Sequence, residues 1–316
     1  MKKSLKSFIY SSIELLDIAA PKVSAALVRW YFRMHINDLR LTEPVPYDPL
    51  GTYVTFYRKQ PRNYQKFISQ YVFDEDGIPM AIYQGTPYYQ IVPMAQFGLM
   101  EYGYYLSDRK ESHRALCLKI ADKLAALQDE KGGWPCGFAH QRPMVSCTLP
   151  KGWYTAMGQG QAISLFARAY ALTGNEVYRQ SAERALPLLD TPVEEGGLCG
   201  KLGGHDFYEE YPTTPASFTL NGMMYCMMGL YDGAQVFQSK QAGAMFEKMV
   251  DTLRFALPLY DDETVSTYDL SHLTNPPRAK NRDWKYHILH IKLLQALDSV
   301  AHDETFAFYI QKWKKY

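Results

Sequence analysis

The chain of 316 residues is 47% hydrophobic and 21% charged, a balance typical of a globular protein with a large core. The formal net charge of +1 provides no long-range field, so nucleic acid is excluded as a partner and any anion must be recognised locally. The 5 cysteines contain no Cys-x-x-Cys pair, which argues against a zinc ribbon and predicts buried reduced thiols. The 25 tyrosines combine an apolar face with a hydroxyl, a combination suited to sugars, although many of them are expected in the core.

Residues 1–40 are predicted to form amphipathic helices that break at Pro21. A basic start is followed by an apolar stretch that Glu14 and Asp17 interrupt, with no small-residue cleavage site. This pattern predicts neither a signal peptide nor a transmembrane helix. Two roles for residues 1–35 stay open, docking on the body of the protein and peripheral contact with a membrane. A cytoplasmic or membrane-peripheral location is therefore favoured.

Residues 41–92 are predicted to contain a small β element. Residues 53–57 (YVTFY) have the preferences of a strand, and 71–73 and 80–83 flank a turn at 74–77, as in a hairpin. The acidic turn lacks the further ligand spacing of a calcium loop, so it is interpreted as a turn only.

From residue 93 to 316 the chain repeats. Apolar helices are predicted to start near Met94, Met157, Leu220 and His287, the first three at intervals of about 63 residues. Each is followed by a more polar helix, near 110–128, 175–189, 239–257 and 303–315. Helices that are apolar all round belong inside, and helices with a charged face belong outside. The expected fold is mainly α, an α/α toroid of about four helical hairpins with the small β-hairpin element before it.

In this fold every loop from an outer helix to the next inner helix emerges on one rim. These loops, at 129–153, 190–217 and 258–286, are long, and long loops in a compact fold are usually functional. They contain most of the Trp, Tyr, Glu, His and Arg residues that would line a cleft. The periodicity thus predicts a polar and aromatic cleft on that rim.

Several strings in and around these loops resemble the C-terminal catalytic region of D-glucuronyl C5-epimerases. In chain order they are 132–135 (GGWP), 152–154 (GWY), 156–164 (AMGQGQAIS), 208–215 (YEEYPTTP), 220–222 (LNG), 257–261 (LPLYD), 268–270 (YDL) and 286–291 (YHILHI). The resemblance covers residues 88–315. The β-rich regions that precede the toroid in animal members are reduced here to 41–92.

The resemblance implies inversion at C5 of glucuronate residues in a heparan-type polysaccharide, giving iduronate without a cofactor. A base removes the proton α to the carboxylate, and an acid on the opposite face returns one. The family's residues map to Glu210, Tyr211 and Tyr286. Glu210 with Tyr286 is the favoured base–acid pair, Tyr211 is the third candidate, and which group is base and which is acid stays open.

One departure from the family concerns arginine. The family arginine after Tyr-Asp-Leu, which is thought to hold the substrate carboxylate, is Ser271 here, and a second family arginine is Asp283. A guanidinium suits a carboxylate because it donates two parallel hydrogen bonds. Arg282 is the predicted substitute, and Arg278, Lys285 and His287 are further candidates.

Other residues within the region that resembles the family are predicted to bind substrate. They are Tyr208, Tyr268, His287, Trp134, Trp153, Tyr154, Gln159, Asn221 and Tyr89. Packing or capping roles remain alternatives for each of them. His287 and His290 have a spacing that could suit a metal, but no carboxylate partner is apparent, and core histidines are the favoured interpretation.

The partner predicted from these residues is a uronic-acid-containing polysaccharide, and a homodimer is kept open. A uronate polysaccharide lyase or an unsaturated-uronide hydrolase is the second reading, since a lyase begins with the same proton abstraction and fold cannot separate them. A non-catalytic glycan-binding relative is the third, motivated by Ser271 and Asp283.

Overall fold

The computed structural model describes residues 20, 23, 46–54, 68–142, 145–277 and 279–316. The helices predicted for residues 1–40 lie outside this part of the chain, apart from the two isolated positions, as do Arg278 and residues 55–57 of the predicted first strand. The division of the chain at residues 40 and 92 stays a prediction.

A three-stranded antiparallel sheet precedes the helices. Its strands, in the order β1-β2-β3, are Tyr71–Phe73, Pro79–Tyr83 and Thr86–Tyr88. The predicted hairpin is confirmed, and β3 is an addition that the sequence pattern did not indicate. The turn between β1 and β2 is closed by Asp74, whose Oδ1 accepts hydrogen bonds from the backbone N–H groups of Asp76 and Ile78.

The strand predicted at residues 53–57 is wrong for the two described residues, because Tyr53 and Val54 lie in a turn region outside any strand. The Tyr53 ring is 1% exposed and stacks on Tyr225, with ring centroids 6.3 Å apart. The aromatic and β-branched composition that suggested a strand therefore reflects burial among helices.

Four helical hairpins follow the sheet. Their inner helices are α1 (Ile91–Asp108), α3 (Ala156–Thr173), α5 (Leu220–Val236) and α8 (Trp284–Ala301). Their outer helices are α2 (Glu111–Leu127), α4 (Glu176–Asp190), α6 (Lys240–Tyr260) and α9 (Glu304–Trp313). Each inner helix packs on its outer partner, and the inner helices pack on one another in chain order. The predicted α/α toroid of four hairpins is confirmed, with helix boundaries within about three residues of those expected.

The inner helices approach so closely that side chains are excluded from part of their contact. A Cβ built on Gly160 of α3 would lie 2.4 Å from the Cα of Cys226 on α5. A Cβ on Gly229 of α5 would lie 2.1 Å from the carbonyl oxygen of Gly160. Since real Cβ atoms do not tolerate such contacts, both positions require glycine, and the two backbones touch directly.

The outer helices begin at side-chain caps more often than the inner ones. Asn175, Ser239 and Asp303 each accept a hydrogen bond from a backbone N–H in the first turn of α4, α6 and α9. The residues before α1, α3 and α5 make no such side-chain bond. The first turns of these three inner helices, which lie on the loop-bearing rim, are not capped by their own N-cap side chains.

Helix α6 corrects the sequence prediction of a loop from residue 258. The helix continues through Pro258 to Tyr260, although proline removes one helical hydrogen bond. Leu257 and Tyr260 are fully buried, and the Tyr260 hydroxyl donates to the carbonyl oxygen of Phe218 at 2.5 Å. Burial of these two side chains offsets the lost bond.

The long rim loops contain secondary structure of their own. The first forms a hairpin of β4 (His140–Arg142) and β5 (Cys147–Leu149), and the second a hairpin of β6 (Cys199–Leu202) and β7 (His205–Tyr208). The second also carries a 3-10 turn at Val193–Glu195, and the third a four-residue helix, α7 (Ser271–Thr274). These short elements hold the loops in fixed positions over the rim.

A buried ion pair closes the opposite end of the ring. Arg168 of α3 and Asp232 of α5 are both 0% exposed and lie 2.9 Å apart. The Tyr47 hydroxyl also donates to Asp232, and the Nε of Arg168 donates to the carbonyl oxygen of Gly51. Residues 46–54 therefore cover this end of the ring, away from the loop-bearing rim.

All 5 cysteines are free, and burial raises the pKa of Cys136 to about 12. Across the described residues, no helix has both the length and the apolarity needed to cross a bilayer.

The glycine contact between α3 and α5 generates a prediction about stability. Gly160→Ala should lower the free energy of unfolding by about 2 kcal/mol or more, because its methyl group overlaps the α5 backbone. Urea unfolding followed by circular dichroism measures this change. Gly243→Ala in α6 is the matched control, since its Cβ would meet only Ala234 at 3.7 Å. The control should raise stability by about 0.5–1 kcal/mol, as alanine favours helix; an equal loss in both variants would contradict the close contact.

Candidate active site

Two adjacent glutamates follow β7, and they point to different surroundings. Glu209 is 0% exposed, and its carboxylate accepts from the backbone N–H of Phe218 at 3.2 and 3.3 Å. Glu210 is 6% exposed, and its Oε2 accepts from the Nδ2 of Asn221 at 3.2 Å. Glu209 thus braces the loop before α5, and Glu210 contacts the first turn of that helix.

Glu210 lies against the first turn of α5. A Cβ built on Gly222 would meet the Cβ of Glu210 at 2.4 Å and its Oε2 at 2.5 Å, so the absence of a side chain at Gly222 makes room for the carboxylate. Burial raises the pKa of Glu210 to about 7, while hydrogen bonds from Tyr211 and Asn221 and the charge of Arg142 oppose the rise. A carboxyl group with this pKa can gain or lose a proton near neutrality.

Tyr211 joins Glu210 to an aromatic wall. Its ring stacks on His140, with centroids 5.6 Å apart, and lies 5.8 Å from Trp153. Tyr83, Tyr88 and Phe138 extend the wall toward the N-terminal sheet. Burial raises the pKa of Tyr211 well above its usual value, and the nearby Glu210 carboxylate adds to the rise. The phenol of Tyr211 is therefore protonated at neutral pH.

Tyr268 and Tyr286 form a second pair of phenols in the same site. Their ring centroids are 4.3 Å apart, and each phenol influences the pKa of the other. Burial raises the pKa of Tyr286 to about 12, and the charge of Glu210 is the next cause. Burial and then Glu210 likewise raise the pKa of Tyr268. The three predicted catalytic residues, Glu210, Tyr211 and Tyr286, thus share one electrostatic neighbourhood.

The third rim loop reaches this site through backbone contacts. The N–H of Leu220, the first residue of α5, donates to the carbonyl oxygen of Tyr268 at 3.1 Å. The N–H of Leu270 donates to the carbonyl oxygen of Ser217 at 3.0 Å. The loop before α5 and the loop before α8 therefore lie side by side, which brings Glu210 and Tyr268 together.

Arg142, at the end of β4, is a site residue that the sequence analysis missed. Its guanidinium carbon lies 3.7 Å from the centroid of the Tyr211 ring. Burial lowers the pKa of Arg142, but Tyr211, Tyr268 and Glu210 raise it more, so the net shift is upward and the side chain is charged. A signal was present in the sequence, since Arg142 is the one charged residue between Lys131 and Lys151.

Three tyrosines predicted to bind substrate have hydroxyls that are bonded elsewhere. Tyr208 donates to Asp190 at 2.6 Å, Tyr154 to Asp129 at 2.5 Å and Tyr89 to Asp74 at 2.6 Å. Each of these contacts holds a rim loop or turn in place. The structure therefore does not bring these phenols into the group around Glu210, and a substrate contact for them stays a prediction.

Trp134, Gln159 and His287 also make contacts within the fold. The Nε1 of Trp134 donates to the carbonyl oxygen of Leu124, and the amide of Gln159 donates to those of Gly132 and Ala185. The Nδ1 of His287 accepts from the backbone N–H of Ser266 at 2.9 Å. Among the predicted binding residues, Trp153, Asn221 and Tyr268 are the ones that contact the site directly or line its wall.

The two positions that are arginine in the family have local roles here. Ser271 is 0% exposed at the start of α7. Asp283 is the N-cap of α8, where its Oδ1 accepts from the backbone N–H of Lys285 at 2.8 Å. Neither side chain supplies a positive charge to the site.

Arg282, the predicted substitute, is bound to Asp262. Its Nη2 donates to Asp262 Oδ1 at 3.0 Å, its Nε donates to the other carboxylate oxygen, and its side chain is 6% exposed. Lys280 pairs with the same carboxylate at 2.8 Å. Arg282 therefore anchors the third rim loop, and Arg142 is the arginine whose charge acts on Glu210 and the site phenols.

No group of three or more potential metal ligands occurs among the described residues. His287 and His290 both hydrogen-bond Ser266 and are buried, as expected of core histidines. The chemistry available in the site is that of a carboxyl group able to titrate near pH 7, protonated phenols and a guanidinium. Such a set can remove a proton from carbon, return one, and stabilise a developing anion.

Comparison with known structures establishes the fold. The structure aligns with cellobiose 2-epimerase from Spirochaeta thermophila with a TM-score of 0.55 and 12% identity, over 80% of this chain and 65% of that one. It aligns with cellobiose 2-epimerase from Bacillus thermoamylovorans with a TM-score of 0.53 and 11% identity, over 93% and 87%. At these identities the likeness shows a shared fold alone.

Sequence comparison defines the family. Residues 128–315 match the model of the D-glucuronyl C5-epimerase C-terminus. The D-glucuronyl C5-epimerase of Caenorhabditis elegans is 33% identical over 223 residues, 67% of this chain and 36% of that protein. An uncharacterized protein of Methanocaldococcus jannaschii is 27% identical over 200 residues, 62% of each chain.

The chain belongs to the D-glucuronyl C5-epimerase family, through the family's C-terminal region, and the resemblance drawn from the sequence is confirmed. It spans less than two thirds of the length of either curated relative.

The raised pKa of Glu210 predicts a pH-dependent stability difference. Because the folded pKa of about 7 lies above the ordinary value of 4.5, the folded state binds this proton more tightly, and stability falls as pH rises between those values. Glu210→Gln removes this loss. The free energy of unfolding of the variant, minus that of the native protein, should therefore increase by about 3 kcal/mol from pH 4 to pH 8. Urea unfolding at both pH values measures the difference.

Glu247→Gln, on the exposed face of α6, is the control and should leave the native pH dependence in place. If Glu210→Gln and the native protein kept a constant difference from pH 4 to pH 8, the upward shift of the Glu210 pKa would be wrong.

Proposed function

We propose that this chain epimerises glucuronate residues at C5 within a heparosan-type polysaccharide, giving iduronate. The observation that carries the proposal is the convergence of Glu210, Tyr211, Tyr268 and Tyr286 on one buried site beside Arg142. Family membership supports the same reaction. Because the chain spans less than two thirds of the length of these relatives, its activity, its polymer and its partner are proposals for this chain.

In the proposed mechanism Glu210 is the base. The ionised carboxylate takes the C5 proton, and the electron pair of the C–H bond moves into the substrate carboxyl group to give an enediolate. Tyr286 then gives its hydroxyl proton to the opposite face of C5, which restores the carboxylate and inverts the centre. Glu210 releases its proton to solvent and Tyr286 regains one, so no oxidant, reductant or cofactor is needed.

The assignment of base and acid follows from the pKa values. Glu210, with a pKa of about 7, is partly ionised near neutrality. Tyr286, with a pKa raised to about 12 by burial, is protonated there and suits the acid. Tyr211 hydrogen-bonds Glu210 and lies under Arg142, which fits a role in orienting the carboxylate and passing its proton to solvent.

The site also has features that suit an acidic sugar polymer. The aromatic wall of Tyr83, Tyr88, Phe138, Trp153 and Tyr211 offers ring faces to sugar C–H groups. The first turns of α3 and α5 bring partial positive charge to the same rim, which favours an anion. Binding without chemistry would need none of the titratable pairing around Glu210, so a catalytic role is favoured over a glycan-binding relative.

Hydrogen exchange tests the reaction directly. The chain is incubated with heparosan in heavy water, and deuterium at C5 and the glucuronate-to-iduronate ratio are followed by NMR. We expect deuterium at C5 without chain cleavage. A rise in ultraviolet absorbance from an unsaturated product would instead indicate a lyase, and binding without exchange would indicate a non-catalytic relative; either result contradicts the proposal.

Substitution of Tyr286 and Glu210 tests their roles. Tyr286→Phe and Glu210→Gln should each slow C5 exchange by at least about 100-fold, the contribution usual for a general acid or base. Tyr178→Phe is the matched control, because it removes a buried hydroxyl that donates to Asp122 in the outer helix layer. Exchange should persist in this control. Full exchange in Tyr286→Phe would exclude the phenol as the acid.

The pH dependence of kcat/KM gives a separate prediction. Since the base acts when ionised, activity should rise with pH and level off above a midpoint near 7. The fall in activity at high pH, where Tyr286 loses its proton, should lie beyond the usual assay range, because Tyr286 has a pKa of about 12. Initial rates of C5 exchange from pH 5 to pH 9 measure the profile, and activity that falls as pH rises through 7 would exclude Glu210 as the base.

A further inference from the structure

Arg142 has no carboxylate partner among the described residues, unlike the arginines that form ion pairs. Arg168, Arg254 and Arg282 are bound to Asp232, Asp303 and Asp262, and Arg114 and Arg179 to glutamates on their own helices. Among the described residues Arg142 has neither an ion pair nor a side-chain hydrogen bond. Its Nε is buried without a partner.

The position of Arg142 is fixed by the sheet and by Tyr211. The residue pairs with Cys147 in the β4–β5 hairpin, so its backbone is held at the strand end. The guanidinium lies 3.7 Å from the Tyr211 ring centroid, and such stacking leaves N–H groups at the edge of the planar group free to donate. The side chain is half-buried in the rim site.

A charged group with a buried, unbonded N–H is costly unless a partner satisfies it. Glu210 and Asp269 act on Arg142 through their charges but make no direct bond to it, and each already has hydrogen bonds from other groups. The site therefore presents an oriented cation whose donors are available to an arriving anion.

We propose that Arg142 binds the carboxylate of the uronate residue that reacts, in place of the family arginine that is Ser271 in this chain. The inference rests on the proposed function, since it assigns the group that holds the substrate of that reaction. The guanidinium would donate to the carboxylate in the ground state and more strongly to the enediolate, where negative charge accumulates. The same contact orients C5 between Glu210 and Tyr286.

A narrower role for Arg142 would be to influence Tyr211 alone through its charge. That role predicts a change in catalytic rate with no dependence on the carboxylate of the ligand. Binding measurements with matched ligands separate the two roles, because they need no turnover.

The experiment compares a heparosan oligosaccharide with its carboxyl-reduced counterpart, in which each uronate carboxylate is a hydroxymethyl group. Isothermal titration calorimetry measures Kd for the native chain, Arg142→Gln, Arg142→Lys and the control Arg179→Gln, which removes an equal charge from the exposed outer layer. Circular dichroism and thermal unfolding verify that each variant is folded.

The native chain and Arg179→Gln should bind the carboxylate ligand at least about tenfold more tightly than the reduced one. Arg142→Gln should bind both ligands about equally, and Arg142→Lys should keep part of the preference, since lysine keeps the charge but loses the two parallel donors. The lysine variant keeps the inference testable if the glutamine variant fails to fold.

Retention of the full preference in Arg142→Gln or Arg142→Lys, together with C5 exchange by the native chain, would overturn the role of Arg142 and leave the proposed function standing. Absence of both C5 exchange and carboxylate preference in the native chain would overturn the proposed function and, with it, this inference.

Discussion

The direct contact between the α3 and α5 backbones is the constraint on which the arrangement of the rim depends. Gly160 and Gly229 let these two inner helices touch without side chains between them. Because each hairpin returns the chain to the same side, the inner helices then begin on one rim with their first turns close together. Three loops that are far apart in the sequence consequently meet over the start of α5, where Glu210, Tyr268 and Arg142 come from different loops.

The two ends of the ring bury charge in different ways. At the closed end Arg168 and Asp232 form an ion pair, and Tyr47 adds a hydrogen bond. At the open rim Glu210 is nearly as buried but is bonded to neutral donors, Asn221 and Tyr211, and its pKa rises to about 7. Burial raises the pKa of Asp232 only to about 6, because Arg168 opposes the effect of burial, whereas Glu210 has no ion pair among the described residues and titrates near neutrality. The burial of Glu210 therefore lowers the stability of the fold at neutral pH and gives the rim a carboxyl group that titrates near pH 7.

The sequence predicted the fold well because its signals are periodic and long. The recurrence of apolar helices near Met94, Met157 and Leu220 identifies the hairpins, and the string at 208–215 identifies Glu210 and Tyr211 through family resemblance. The sequence could not separate Glu209 from Glu210 by composition; the direction of each side chain depends on where β7 ends. It also predicts substrate contacts for Tyr154, Gln159 and Trp134; these stay predictions, since a matching string can mark a structural contact as readily as a substrate contact, and these side chains bond within the fold. Tyr154, for example, fixes the first rim loop through its hydrogen bond to Asp129.

Which arginine lies in the site was hardest to predict from the sequence, because this depends on what each guanidinium contacts in the fold and not on residue type. Arg282 is next to a position that is arginine in the family, yet Asp262 lies within hydrogen-bond distance and takes its donors. Arg142 is far from that position in the sequence and belongs to a short hairpin that the sequence analysis did not predict. It reaches the site because β4 and β5 pair over the rim and because Tyr211 provides a ring on which the guanidinium stacks. A site that must hold an anion needs a cation at the right place in space, and the fold can supply it from any loop that ends on the same rim. The loss of an arginine at Ser271 therefore does not by itself remove the chemistry, provided that a charge of the same sign and geometry enters from a neighbouring loop.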